Sequence, residues 1–231
     1  AYNIFLALLA LVLHLTLNQL IWLNLLIILI FFITGLVLDL RREHQILPRL
    51  KINYRYLLLY LALFFYLAVI LMTVIQVGGN FNGDPLYHLS TMRKAVAGEP
   101  LSIDNLAYLK EQYHPAYIFS CWHIFLAETA KLANVNIFTL WQQIPIALTV
   151  LIFLVWYWLF LKLYANKLLA SLGLFLAAAY IYWQNGYLFT RLAVPDTLST
   201  YLLLPLCFAL AIKYIFDQKT TWKHLAVLTF S

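Results

Sequence analysis

The run "YLLLYLALFFYLAVILMTVIQV", residues 56 to 77, contains no charged residue. At ~1.5 Å per helical residue it is ~33 Å long, enough to cross a hydrocarbon core of about 30 Å in one pass. Lipid offers backbone amides no partner, so a segment that crosses must be helical. Similar runs recur at residues 2 to 17, 20 to 39, 138 to 161, 168 to 185 and 197 to 214. Together they predict an all-α membrane protein with about six transmembrane helices. Charged residues are only 10% of the chain and apolar or aromatic ones 65%, against roughly 25% charged in a soluble domain, so no soluble domain is expected. The first run has no basic segment before it and leads straight into a second, unlike a cleavable signal.

Basic residues give the sequence its orientation. Arg41, Arg42, Arg49, Lys51 and Arg55 crowd into "DLRREHQILPRLKINYR", and short loops rich in Lys and Arg stay on the cytoplasmic side. That reading makes residues 1–40 a transmembrane hairpin joined at Asn18-Gln19, residues 41–55 a cytoplasmic loop, and residues 56–231 a helical module. Within the module, residues 78–137 form a long external loop and residues 186–196 a second one. The segment "HPAYIFSCWHIFLAETAKL", residues 114 to 132, decides the orientation of everything after it. Lying flat on the outer surface, it places Lys162, Lys167, Lys213, Lys219 and Lys223 in the cytoplasm; spanning, it places them outside. The positive-inside rule favours the flat helix. So does a polar stripe of Tyr117, Ser120, His123, Glu128 and Lys131, broken by Ile124, with Phe119, Trp122, Phe125 and Leu126 beside it. The final "TWKHLAVLTFS" reads as the start of another helix, as in a fragment of a longer protein. The net charge of +6 belongs to these topogenic loops, so no nucleic-acid partner is expected. Cys121 and Cys207 sit in apolar patterns without metal-ligand spacing and read as buried hydrophobes.

The chemistry-bearing residues gather in the two external loops. In "GGNFNGDPLYHLSTMRKAVAGEP", residues 78 to 100, Asp84 is the leading catalytic candidate, with Gly78, Gly79 and Gly83 allowing close backbone approach to a ligand. Asp followed by Pro85 is also an ordinary helix start, and one carboxylate can fill both roles. His88 falls one turn further on, where it either reaches the same site or stands as a solvated or hydrogen-bonded bystander. Arg93 and Lys94 make a basic face for phosphate, or simply solvate their helix. His114 precedes Pro115 at the cap of the flat helix. In "TRLAVPDTLS" Arg191 is the expected phosphate partner, because a guanidinium forms bidentate bonds and keeps its proton; Asp196 opens the next helix.

This layout resembles the GT-C superfamily of polytopic glycosyltransferases, over roughly residues 56 to 231. The likeness lies in an outward helix, a long first external loop with an early acid in "NGDPLYH", two surface-lying amphipathic helices in that loop, and paired spans after it. The resemblance implies a bacterial plasma-membrane enzyme with an extracytoplasmic active face. Its donor would be a polyprenyl-phosphate-linked sugar and its acceptor a glycan, lipid or protein, with membrane lipid around it. It implies Asp84 as catalytic base, with Arg191 and Asp196 near the lipid phosphate; His88, His114 and Arg93 are the further substrate-binding candidates among the loop residues. It also admits a divalent metal at Asp84 and Asp196. This chain departs from the family in having one early acid instead of a pair and two extra spans at its start. The competing readings are a membrane polysaccharide polymerase or ligase, a transporter, for which Gln142, Gln143 and Pro145 are weak mid-span candidates, and a structural subunit.

Overall fold

The computed structural model describes residues 2–40, 56–77, 84–103, 108–109, 112–113, 121–184 and 191–216. Its helices are α1 (Tyr2–Val12), α2 (Leu17–Leu40), α3 (Leu57–Val77), α4 (Asp84–Val96), α5 (Cys121–Leu132), α6 (Ile137–Tyr164), α7 (Lys167–Gln184), α8 (Pro195–Leu198) and α9 (Leu204–Phe216). A π-helical turn, Ser199–Leu203, joins α8 to α9. One small ladder pairs Tyr108 with Tyr113 and Leu109 with Gln112. Four stretches are long and apolar enough to cross a membrane: Leu17–Gly35, Leu57–Val77, Ile137–Tyr164 and Pro195–Tyr214. Two runs expected to span are shorter, Tyr2–Val12 and Lys167–Tyr180. The 11 residues of α1 rise only ~16 Å, about half a hydrocarbon core. Phe31, Phe32, Phe64 and Phe65 are each 65–72% exposed, an arrangement that fits lipid and not water. The chain is therefore a multi-span membrane protein.

The chain divides into two compact units, residues 1–52 with 87–137 and residues 53–86 with 138–231. In the first, α1 and α2 pack on α5. Its core holds Leu6, Ala7, Ala10, Leu17, Leu20, Ala95, Leu101, Ile124 and Ala127; the alanines let helix backbones approach closely. The amide of Leu101 donates to the Leu15 carbonyl at 2.8 Å and ties the chain after α4 to the α1–α2 turn. That turn comes earlier than the expected Asn18-Gln19 join, and both of those residues already belong to α2. The cause is a capping box: the Thr16 amide donates to Gln19 Oε1 at 2.8 Å and the Gln19 amide to Thr16 Oγ1 at 3.4 Å.

The same helix–turn–helix occurs twice. Ile4-Phe5-Leu6-Ala7 of α1 repeats as Ile124-Phe125-Leu126-Ala127 of α5, and Ala10 and Leu20 recur in register as Ala130 and Leu140. The turns share two backbone bonds. Leu13 donates to Leu9 and Leu15 to Ala10 in the first; Ala133 donates to Thr129 and Val135 to Ala130 in the second. Each turn pivots on a left-handed residue, His14 (φ 52) or Asn134 (φ 53). Leu6, Ala7, Ala10, Leu17 and Leu20 are buried, and so are Leu126, Ala127, Ala130, Ile137 and Leu140.

In the second unit, the Tyr66 ring of α3 packs on Phe175 of α7, 4.7 Å between centroids, and on Phe153 of α6 at 6.4 Å. The α6–α7 turn holds Ala165 at φ 49, and Asn166 caps α7 through the Leu168 and Leu169 amides. Pro205 has no N–H, so it leaves the Tyr201 carbonyl one turn back without its usual helical donor. Trp156 of α6 supplies one, with its indole N–H 2.7 Å from that oxygen.

Candidate functional site

Helices α4 and α5 bring two histidines against each other. His88 on α4 and His123 on α5 are 0% and 2% exposed, and His88 Nδ1 lies 2.7 Å from His123 Nε2. The ring planes differ by 10° with centroids 4.9 Å apart. That centroid separation is about the N···N distance plus two ring radii, so the rings meet edge to edge along an in-plane hydrogen bond. His123 Nδ1 is buried without a partner. One ring nitrogen donates to the other, and the tautomers of the two rings set which does. Burial first, and the His88 ring second, lower the pKa of His123 from 6.5 to about 3. His123 is neutral at physiological pH.

These positions correct the expectation of a surface-lying amphipathic helix. His123, Ile124 and Glu128 are 2%, 0% and 7% exposed, so the polar stripe of α5 faces protein. The reason is that α5 is the helix on which α1, α2 and His88 of α4 converge, and few of its positions are left for water or lipid. His88 is buried as well, and of its expected settings the hydrogen-bonded one is found. On another side of α5, Asn24 Nδ2 of α2 donates to Glu128 Oε1. Burial raises the pKa of Glu128, and the Asn24 bond opposes that shift.

The second constellation is assembled as the sequence suggested. Arg191 Nη2 lies 3.4 Å from Asp196 Oδ2, with the two side chains 26% and 68% exposed. The pair sits at the head of the candidate span Pro195–Tyr214. The cap of α8 is Val194, with Pro195 in the first turn, so Asp196 is a first-turn acid and not the cap. Its Oδ1 accepts from the Thr197 amide at 2.6 Å and the Thr197 hydroxyl at 3.2 Å. Leu192, Ala193 and Val194 are buried around the turn.

Asp84 begins α4 as the Asp-Pro pair predicts; its side chain, and His114 entirely, lie outside the described residues. Arg93 is exposed on α4, beside Lys94 in the last turn. Among the described residues no three His, Cys, Asp or Glu side chains group as metal ligands. Asp196 Oδ2 faces Arg191, and its Oδ1 is held by Thr197. Cys121 and Cys207 are free thiols; Cys121 is buried as expected, but Cys207 is exposed, on the open face of its apolar helix. Sequence reading missed Asn24 altogether, since nothing marks one amide within an apolar span as a partner for Glu128. Among known proteins, no family model matches the chain, and neither a curated protein nor a solved structure does.

Proposed function

We propose that this chain is the membrane part of a glycosyltransferase that uses a polyprenyl-phosphate-linked sugar on the extracytoplasmic face of a bacterial plasma membrane. The observation that supports this reading is the Arg191–Asp196 pair at the head of a span, where a lipid phosphate would lie. The contact is long, at 3.4 Å, and its carboxylate is mostly exposed, so a phosphate can displace Asp196 and take the guanidinium in bidentate fashion.

In the reaction, an acceptor hydroxyl oxygen bonds to the anomeric carbon while the bond from that carbon to the phosphate oxygen breaks. The bonding pair leaves on the phosphate, whose growing charge Arg191 neutralises. The hydroxyl proton passes to Asp84 as general base. The spans on this reading number six, counting the shorter helices α1 and α7.

The test uses the full chain in lipid vesicles, tritium-labelled polyprenyl-phosphate hexoses as donors and a membrane extract as acceptor. Asp84→Asn keeps a good helix-starting side chain and lowers transfer by at least about 10²-fold while the protein stays folded. Transfer at the wild-type rate in folded Asp84→Asn removes Asp84 as the base.

A further inference from the structure

We propose that Asn24 and Glu128 form a buried proton-binding site, in which a neutral carboxylic acid pairs with a carboxamide. Glu128 is 7% and Asn24 5% exposed, and Asn24 Nδ2 donates to Glu128 Oε1. The other end of the same amide is unsatisfied: Asn24 Oδ1 is buried with no hydrogen-bond partner. An ionised carboxylate has no hydrogen to offer that oxygen. A protonated one has exactly one, and adding it closes a second bond, Glu128 O–H to Asn24 Oδ1, antiparallel to the first. One proton thus satisfies the amide and removes a charge from an apolar core.

The surroundings favour the neutral acid. Leu20, Ile21, Ile124 and Ala127 belong to the core around the pair. From α1 the ionisable group that feels Glu128 is Tyr2, a neutral phenol. Between Leu17 and Gly35, α2 carries no ionisable residue. The histidine that α4 brings to α5, His88, engages His123. On α5 itself Lys131 is one turn away, and among the described residues no ion pair to Glu128 forms. The repeated hairpin gives an internal comparison: the counterpart of Glu128 in α1 is Leu8, which packs against the same core. A leucine therefore suffices to build this helix, and the carboxyl at Glu128 is not needed for the turn or the seam.

Release of the proton leaves a bare charge between α2 and α5 and weakens their contact. The site also has a diagnostic reaction. A hydrophobic carbodiimide adds the carboxyl oxygen to its central carbon and the carboxyl proton to one nitrogen, and the adduct rearranges to a stable N-acylurea with nothing lost. Only the protonated acid reacts in this way.

The experiment takes the full chain in lipid vesicles and records the infrared C=O band of protonated carboxyls at pH 7, with its shift in D2O. Glu128→Gln, which can keep both amide bonds to Asn24, is the control for folding by circular dichroism. The proposal expects a band in wild type that Glu128→Gln loses, and dicyclohexylcarbodiimide adducts located at Glu128 by peptide mass spectrometry. Labelling should fall about tenfold per pH unit once the site titrates. Absence of the band, its persistence in folded Glu128→Gln, or labelling elsewhere overturns the proposal. If Glu128→Gln does not fold, the pH-dependent adduct at Glu128 of the wild-type chain decides alone.

Discussion

Two buried polar contacts on α5 respond to pH in opposite directions. His123 has its pKa lowered to about 3 from 6.5, so the unfolded chain binds a proton that the folded one refuses between those values. Stability is present above pH 6.5 and is lost as pH falls, by up to about 5 kcal/mol at the acid end. Glu128 is shifted upward from 4.5, so its contribution is present at low pH and is lost as pH rises through its folded value. In vesicles, the thermal midpoint of the wild-type chain should drop between pH 6.5 and 4. His123→Gln, whose amide can donate to or accept from His88 Nδ1 but does not titrate, should flatten that drop. An unchanged acid slope in His123→Gln would show that the pair does not control it. Both histidines were visible in the sequence as chemistry-bearing residues, but their partnership was not. Separated by 35 positions, they meet only because α4 packs on α5, and periodicity along one helix carries no information about which neighbour its polar stripe will face.

At the scale of elements, the long runs were legible because apolar composition over a bilayer's length admits one structure. Their ends were less so. The Thr16-x-x-Gln19 capping box was present in the sequence, yet polarity drew the join to Asn18-Gln19. The repeated Ile-Phe-Leu-Ala was masked for a related reason, since in a chain 65% apolar short matches are expected by chance and only identical turn geometry distinguishes this one. Trp156 shows what sequence could not supply: the indole that satisfies the Tyr201 carbonyl beside Pro205 comes from a helix 45 residues away. Trp156→Phe keeps most of the ring's packing and deletes that donor. It should cost about 1–3 kcal/mol, read as a lower midpoint of thermal aggregation in detergent. A midpoint equal to wild type would mean that the carbonyl finds another donor.

For the whole molecule, the described helices establish several membrane spans, and their orientation is a matter of loop charge. The positive-inside reading puts the turns at Leu13 and Ala133 outside and the turn at Ala165 inside. Single cysteines at these positions, in a chain with Cys121 and Cys207 replaced by alanine, should react with an impermeant maleimide from outside at 13 and 133. At 165 they should react only after the vesicles are opened. External labelling at 165 would invert the second half of the map. The matched turns also have an evolutionary consequence. Where α1 carries Leu8, Leu9 and Leu11, α5 carries Glu128, Thr129 and Lys131 at the equivalent places. A lineage holding both could let mutation explore polar side chains in one hairpin while selection on the other preserved the hydrophobic seam, gaining new chemistry without risking the fold.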